Sequence, residues 1–258
     1  MFATTAPLLV RLAVFFAVGV AAGISNGIAG GGTFLTFPTL LGMGLPSLVA
    51  NVSSTVGVVP SYIGGIRGFK DQLKNHGKLV RSTLPYCFLG TGVGCTLLLT
   101  GSSATFSNVV PYLIGFGTII FGCAPLITKR LSHIEHDHVG RKWTFFVGIF
   151  LISVYGGYFG AGLGILLLAV MAISLPFEMH ELQGLRNLLS IIINAIAATV
   201  FLIRGHLNWT AVSMLLIGTL IGGVIGTLFI KKVSPNVVRA IIVVIGGITT
   251  IHLFLKSK

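Results

Sequence analysis

The amino-acid sequence predicts an all-α polytopic membrane protein with about eight apolar helical segments arranged in two internal repeats. Three observations lead to this prediction. The 258 residues are 54% hydrophobic and only 9% charged, whereas an ordinary soluble domain is about a quarter charged. Long apolar segments follow one another along the whole chain. The first segment of each half is interrupted by a glycine-rich motif.

Two of the apolar segments are too long for one perpendicular membrane crossing, which needs about 20 apolar residues. Both are also too rich in glycine to form one straight helix, so we expect each to be broken. A polar loop at 129–142 separates the two halves. The segments lie at about 8–45, 49–66, 82–100 and 107–128 in the first half, and at about 144–175, 182–203, 210–230 and 236–255 in the second.

The first break is predicted at the run that ends in Gly30, Gly31 and Gly32. A glycine in a helix interior costs about 1 kcal/mol relative to alanine, so this run favours a broken helix or a close backbone approach at membrane depth. A half-helix starting near Thr33 would point its N-terminus into the gap. That end carries about half a positive charge and suits an anion. Asn26, at the edge of the break, would either cap the broken helix or contact the substrate.

The second half repeats these landmarks. At an offset of about 130 residues, the first motif aligns with Gly157-Tyr-Phe-Gly160-Ala-Gly162, and Leu45-Pro46 aligns with Leu175-Pro176. After six inserted residues, Asn51-Val-Ser-Ser54 aligns with Asn187-Leu-Leu-Ser190. Glycine-interrupted segments at matching places in two halves indicate a transporter's binding site. We therefore expect repeats at 1–128 and 143–258, joined by a linker at 129–142.

The charge pattern leaves two arrangements of the repeats open. If each broken segment crosses the membrane, the repeats are parallel and the Lys and Arg residues divide 13 to 3 between the two faces. If each broken segment turns back, the repeats are inverted, and the division is 12 to 4 with Arg11, Arg204, Lys256 and Lys258 on the poorer face. Both satisfy the positive-inside tendency. Both place loops 67–81 and 129–142 in the cytoplasm.

Arg186 is the charged residue that we expect to bind an anion. It would lie beside the second break if the halves pack together, and its planar guanidinium matches a pair of oxyanion oxygens. An arginine at that depth is costly unless paired, and the alternative is that it reaches the interface or pairs with Glu178 or Glu181. Neutral donors on the helices after the breaks complete the expected site, or else serve as hydrogen bonds between helices: Asn51, Ser54, Asn187 and Ser190.

Histidine and cysteine offer little further chemistry. His180 and Glu181 are candidates for proton coupling, because histidine titrates near neutrality, although they also suit a solvated turn. The stretch His133-Ile-Glu-His-Asp-His138 has no ligand spacing typical of a metal site, and we expect a polar loop with no metal. The three cysteines lie in apolar segments without CxxC spacing, so we expect no disulfide framework.

The motifs resemble those of the sulfite exporter TauE/SafE family of membrane transporters. The resemblance rests on the first glycine motif with Pro38, on 50–56, on Tyr155-Gly-Gly-Tyr-Phe-Gly-Ala-Gly-Leu-Gly164, and on Leu185-Arg-Asn-Leu-Leu-Ser190. It covers about 13–255. It implies transport of small anions, chiefly sulfur oxyanions such as sulfite and organosulfonates, across the bacterial cytoplasmic membrane. The second motif is Gly-Ala-Gly-Leu-Gly rather than a run of glycines, so the two breaks need not contribute equally.

These features favour a secondary transporter that works by alternating access around the two breaks. The alternatives are a passive anion channel, a carboxylate transporter on the same fold, or a structural subunit. The sequence has no nucleotide-binding motif and no HExxH or GxSxG motif, so we expect neither an enzyme nor a cofactor. The net charge of +12 is explained by cytoplasmic loops facing anionic lipid rather than by nucleic acid. The expected partners are a small anion and the bilayer, with a homo-oligomer possible.

Overall fold

The computed structural model describes residues 7–28, 30–62, 70–131, 141–229 and 234–256. Every regular element in these ranges is helical, which confirms the all-α prediction. The eleven α-helices are α1 (Leu8–Ile28), α2 (Thr33–Gly42), α3 (Ser47–Val58), α4 (Lys70–Thr100), α5 (Ser103–Gly122), α6 (Ala124–Leu131), α7 (Arg141–Tyr158), α8 (Leu163–Ser174), α9 (Met179–Arg204), α10 (Trp209–Phe229) and α11 (Pro235–Lys256).

Six of these helices contain stretches that are long and apolar enough to span a bilayer. Shorter apolar stretches lie in α2, α7 and α8. The outward faces carry large apolar side chains such as Phe88 on α4 and Ile248 on α11, which are 65% and 63% exposed. In a soluble protein this would be a large exposed apolar surface, whereas a bilayer accommodates it. The molecule is therefore a polytopic membrane protein. The six stretches are Leu8–Gly27, His76–Thr100, Ser103–Gly122, Met179–Arg204, Trp209–Gly226 and Pro235–Leu255.

Both predicted breaks are present. The first broken segment divides between Ile28 and Thr33, and the second between Tyr158 and Leu163. Each of the other six predicted segments overlaps one helix, except the fourth, which overlaps α5 and α6 on either side of Cys123. The second segment extends past α3, and its last residues, 63–66, lie outside the described ranges.

The prediction that 67–81 is a loop was wrong for most of its length. Residues 67–69 lie outside the described ranges, but α4 begins at Lys70 and continues through this polar stretch with non-helical backbone angles at His76 (φ −118°, ψ 20°). Polar residues can continue a helix into water because its hydrogen bonds are internal, so hydropathy marked only the apolar part of α4. The expected loop 129–142 is likewise helical at both ends, in α6 and α7, and 132–140 lies outside the described ranges.

Two pairs of parallel helices are packed backbone to backbone through glycine. A Cβ built on Gly23 of α1 would lie 2.8 Å from the carbonyl carbon of Gly222 in α10, and one on Gly19 would lie 3.2 Å from the Cα of Gly218. In the other pair, a Cβ on Gly94 of α4 would lie 2.1 Å from the carbonyl oxygen of Val154 in α7. Small residues at four-residue spacing permit this approach.

Helix directions follow from such contacts. We call the end of the bundle where α1 begins and α11 ends the terminal end, and the opposite end, where α4, α7 and α9 begin, the loop end. Helices α3 and α10 run parallel to α1, since Gly57 and Ser61 meet Leu215 and Gly223 in that order. α9 runs antiparallel to α3, because Val52 contacts Gly205 while Tyr62 and Arg186 share one cavity.

The two halves consequently run in opposite directions. α1 and α3 run from the terminal end to the loop end. Their counterparts in the second half, α7 and α9, run from the loop end to the terminal end. α5 and α11 are antiparallel neighbours, with Gly115 beside Thr250 and Gly122 beside Val243. The short helices α2 and α8 turn back from the helices that precede them. Of the two arrangements left open by the charges, this one corresponds to turning back at the breaks.

Candidate functional site

The glycines at the breaks adopt backbone angles that other residues avoid. Gly30 and Gly31 have φ of 82°, and Gly160 and Gly162 have φ of 77° and 78°. An L-residue in this left-handed region is disfavoured by about 1–2 kcal/mol. Gly30 and Gly160, like Gly32 and Gly162, are the pairs aligned by the 130-residue offset. The glycines therefore permit each chain reversal at a specific backbone position.

The first break is held by side chains of α1. Ser25 Oγ donates to Gly30 O (2.8 Å), and Ser25 O accepts from Gly30 N–H (2.9 Å). Asn26 Oδ1 accepts from Gly32 N–H (2.7 Å), and its Nδ2 donates to Ser61 Oγ (2.8 Å). Both polar ends of the Asn26 amide are thus engaged by protein. Of the two roles expected for Asn26, the geometry favours fixing the start of α2 against the end of α3.

The second break is held differently. The Tyr155 hydroxyl donates to Ala161 O across the turn, and Gly160 N–H donates to Tyr155 O (3.1 Å). Helix α8 then begins without a side-chain cap, at Gly162. The backbone N–H of Gly164 makes no hydrogen bond with an acceptor in the described ranges. Neither α2 nor α8 has a side-chain cap from the glycine that precedes it, and the first residues of both helices line the space between the breaks.

A cavity of about 40 Å³ lies between the two breaks. One water needs about 10–15 Å³ measured in the same way, so this space suits a few waters or one small ion. Eight of the eleven residues predicted to bind substrate line it: Asn26, Gly30, Gly31, Gly160, Gly162, Arg186, Asn187 and Ser190. Predicted site residues from both halves of the chain therefore lie around one small cavity in the fold.

Arg186 supplies the formal charge in this lining. Its Nε and Nη2 donate to Asn187 Oδ1 at 3.2 and 2.9 Å, and its aliphatic part lies against Gly164 of the second break. The carboxylates considered as alternative partners are engaged elsewhere, since among the described residues the ion pairs are His76–Glu181 and His180–Glu178. Arg186 is therefore oriented by an amide and carries no carboxylate counter-charge in the described part of the chain.

Three predicted residues lie outside the cavity lining. A Cβ on Gly32 would lie 2.7 Å from Ala22 O, so this glycine permits α2 to start against α1. Asn51 is fully buried and donates from Nδ2 to Tyr158 O (3.1 Å), which ties α3 to the end of α7. Ser54 is fully buried and hydrogen-bonds Thr36 of α2 (2.5 Å). These residues hold helices together, and the geometry gives no support for a direct binding role.

The proton-coupling candidates lie at the start of α9, outside the cavity lining. His180 pairs with Glu178 at 3.2 Å on an exposed turn. Glu181 pairs instead with His76 of α4, also at 3.2 Å. The stretch His133–His138, expected to be a polar loop without metal, lies outside the described ranges, and no group of three potential metal ligands occurs within those ranges.

Sequence reasoning missed several residues that line the cavity. Tyr62 carried no signal, because it ends a short 3₁₀ turn after α3 and has no polar counterpart at the aligned position, Ala198. Arg239 of α11 does not line the cavity but lies close enough to Arg186 to interact with it electrostatically. Arg239 figured only in the count of basic residues on the two membrane faces. The side chains that line the cavity and were not assigned to it are Thr33, Tyr62, Phe121, Leu163 and Ile165.

A second, larger cavity of about 640 Å³ lies at the terminal end. It is bordered by Gly44 of the α2–α3 turn, by Ser47 at the start of α3, by Ser107 of α5 and by His252 of α11. None of the predicted site residues lines it. The two ends of α2 thus face different spaces, with its N-terminus at the small cavity and its C-terminus at the large one.

Comparison with known proteins agrees with the resemblance in the motifs. A family model described as sulfite exporter TauE/SafE matches residues 15–253. A probable membrane transporter protein of Haemophilus influenzae is 23% identical over 242 residues, which are 93% of this chain and 92% of the relative. The probable membrane transporter protein YfcA of Escherichia coli is 23% identical over 259 residues, covering 98% of this chain and 92% of the relative.

No solved structure matches the chain with significance. The family match extends over nearly all of the described helices and includes both breaks with the cavity between them. The chain belongs to the sulfite exporter TauE/SafE family of membrane transporters.

Proposed function

We propose that the protein is a secondary transporter of small anions that works by alternating access around the paired helix breaks. The observation that carries the proposal is the setting of Arg186. Its guanidinium lines a small cavity shared by both halves, and it has no carboxylate partner among the described residues. A buried charge is strongly unfavourable without a counter-charge. A bound anion supplies that counter-charge.

The electrostatics of the cavity favour an anion. The N-termini of α2 and α8 each contribute about half a positive charge, and Arg239 adds a further positive field. A unit anion about 4 Å from Arg186 would gain about 4 kcal/mol at an effective dielectric constant of 20. No acidic side chain from the described part of the chain lines the cavity. Apart from Arg186, the hydrogen-bond donors in the cavity lining are neutral amide, hydroxyl and backbone N–H groups. Neutral donors hold an anion less tightly than charged ones, so the anion can also be released.

The shape of the cavity and the family description support the proposed substrate class. The planar guanidinium fork binds two oxygens of one group, and a cavity of about 40 Å³ limits the bound group to a few heavy atoms. A sulfite ion or the sulfonate head of an organosulfonate meets both conditions, and the family description supports sulfur oxyanions. A small carboxylate has the same two-oxygen geometry and is the competing substrate class.

The opposed helix directions support a mechanism based on inverted repeats. We propose that 1–128 and 143–258 are such repeats, since α1 pairs with α10 in the same way that its counterpart α7 pairs with α4. Exchanging the conformations of the two halves would open the cavity first to one end and then to the other. The loop end carries most of the Lys and Arg residues in the described ranges, and by the positive-inside tendency this supports a cytoplasmic location for that end.

Flux measurements with purified protein in proteoliposomes test this proposal. The panel would contain sulfite, organosulfonates, sulfate and small carboxylates, each with and without a pH gradient. We expect saturable movement of sulfur oxyanions, together with exchange of internal for external anion. Flux that never saturates and shows no exchange would indicate a channel, and faster movement of carboxylates would reassign the substrate class. Absence of any anion flux would contradict the proposal.

A further inference from the structure

Arg239 of α11 has a buried donor without an acceptor. Its Nη1 donates to Asn236 Oδ1 (2.9 Å) in the first turn of the helix, while its Nε is buried and makes no hydrogen bond within the described part of the chain. A buried N–H of a charged group is unfavourable without a partner. The described ion pairs involve Glu178 and Glu181, so Arg239 has no carboxylate partner among those residues. Its guanidinium is therefore available to interact with an anion.

The position of Arg239 connects it to the cavity between the breaks. Three residues further along α11, Ile242 is fully buried and packs against the first break, since a Cβ on Gly31 would lie 3.3 Å from Ile242 Cδ1. Residues three apart are neighbours on one helix face, and they differ by about 4.5 Å along the axis. Because α11 begins at the loop end, Arg239 lies on the loop-end side of the cavity. It is close enough to Arg186 for the two charges to interact.

Arg186 and Arg239 are oriented in the same way. Each guanidinium donates to the amide oxygen of an asparagine on its own helix, Asn187 for Arg186 and Asn236 for Arg239. Two positive charges therefore act on an anion in the cavity, and no acidic side chain from the described residues lines it. Like charges that are partly removed from water disfavour each other. A singly charged anion leaves one of the two uncompensated, whereas a doubly charged anion balances both.

We propose that Arg239 is a specificity-determining residue that shifts the selectivity of the transport site toward doubly charged oxyanions, an inference that rests on the proposed anion transport. Arg186 binds the anion directly, and Arg239 acts on it through its charge from the loop-end side. The interaction energy is proportional to the charge of the anion, so a dianion gains twice as much from Arg239 as a monoanion. Affinity is exponential in energy. The factor by which Arg239 strengthens binding of a dianion is therefore the square of the factor for a monoanion.

The favoured substrates are consequently small dianions, such as fully deprotonated sulfite, rather than sulfonates with a single charge. A dianion also loses more hydration when it enters the cavity. That cost is the same with and without the Arg239 charge, so a comparison of variants at this position isolates the contribution of the residue.

Arg130 of α6 provides a matched control. It lies at the same end of the bundle and carries the same charge, but its side chain is exposed to solvent, whereas the Nε of Arg239 is buried. Exposed charges are screened within about 8 Å at physiological ionic strength. Removing the charge of Arg130 therefore changes the net charge of the loop end while leaving the field in the cavity almost unchanged.

The test is calorimetric titration of purified protein in detergent with sulfate and methanesulfonate, two small tetrahedral sulfur anions that carry two charges and one charge at neutral pH. Both are measured at one ionic strength, since screening depends on it. Arg239→Gln and Arg239→Met each remove the charge, so the result does not depend on one variant folding. We expect both to bind the two anions more weakly, and a loss of about 3-fold for methanesulfonate should become about 9-fold for sulfate. Arg239→Lys should retain the selectivity of wild type, and Arg130→Gln should leave both affinities unchanged.

Each other outcome is decisive. Equal losses for the two anions in the neutral variants would overturn the proposal, because a purely structural effect weakens both by the same factor. Unchanged affinities would do the same, as would wild-type protein that binds methanesulfonate and not sulfate. Lost selectivity in Arg239→Lys, or an equal effect of Arg130→Gln, would show that the local charge of Arg239 is not the cause. If wild-type protein binds neither anion and carries no anion flux in proteoliposomes, the proposed anion transport itself fails.

Discussion

Replacing Gly94 by alanine should destabilise the protein through a clash between two helix backbones. A Cβ at this position would lie 2.1 Å from the carbonyl oxygen of Val154, whereas ordinary contacts begin near 3.4 Å. Helices α4 and α7 would have to separate by about 1.3 Å at this point, because the obstructing atom belongs to a helix backbone and cannot rotate away. Overpacking of this kind costs about 1–3 kcal/mol, and occasionally more.

Gly92 provides the matched control two residues away on the same helix. A Cβ there meets no atom within 4 Å, while the gain in helix propensity from glycine to alanine is the same at both positions, about 1 kcal/mol. The difference between the variants therefore isolates the clash. At about 1–3 kcal/mol it corresponds to a Tm about 2–12 °C lower for Gly94→Ala than for Gly92→Ala. Thermal unfolding in detergent measures this, and equal Tm values would refute the close packing of α4 and α7.

Three further predictions concern the breaks and the orientation. Gly31→Leu should block transport measured in proteoliposomes, because even a Cβ there lies 2.9 Å from the Phe121 ring and φ is 82°; a variant that transports normally would contradict this. Asn26→Ala should lower the free energy of unfolding by about 1–3 kcal/mol, since it leaves the Gly32 N–H without its partner, and an unchanged melting curve would show that the bond is dispensable. Cys123 is exposed at the loop end, so an impermeant maleimide should label it in inverted vesicles and not in intact cells; the reverse pattern would invert the proposed orientation.

The helices and breaks were predictable because their signals are local. Apolar length marks each membrane segment, and consecutive glycines such as Gly30 and Gly31 mark positions where a helix cannot continue cheaply. The start of α4 was mispredicted since hydropathy does not register a polar helix that extends into water. The direction of the second half was undecidable from charge counts, because both arrangements placed most basic residues on one face.

The site was only partly predictable because proximity depends on packing. Arg186, Asn187 and Gly162 were found through the repeat, which relates positions far apart in the chain. Asn51, aligned with Asn187, is instead fully buried and bonded to Tyr158, so equivalence in sequence did not produce equivalence in role. Tyr62 entered the cavity through the packing of α3 against α9, a contact that no local pattern encodes.

Saturable sulfite flux in matched proteoliposomes of wild type and Arg186→Ala tests the central claim most directly. The claim is that an anion crosses the membrane through the cavity between the breaks, bound by Arg186. Losing the charge-assisted hydrogen bonds of the guanidinium should weaken apparent affinity by about 30-fold or more, which corresponds to about 2 kcal/mol. We expect saturable flux in wild type and little flux in Arg186→Ala at equal reconstitution. Equal flux in the two proteins would contradict the assignment of the cavity as the transport site.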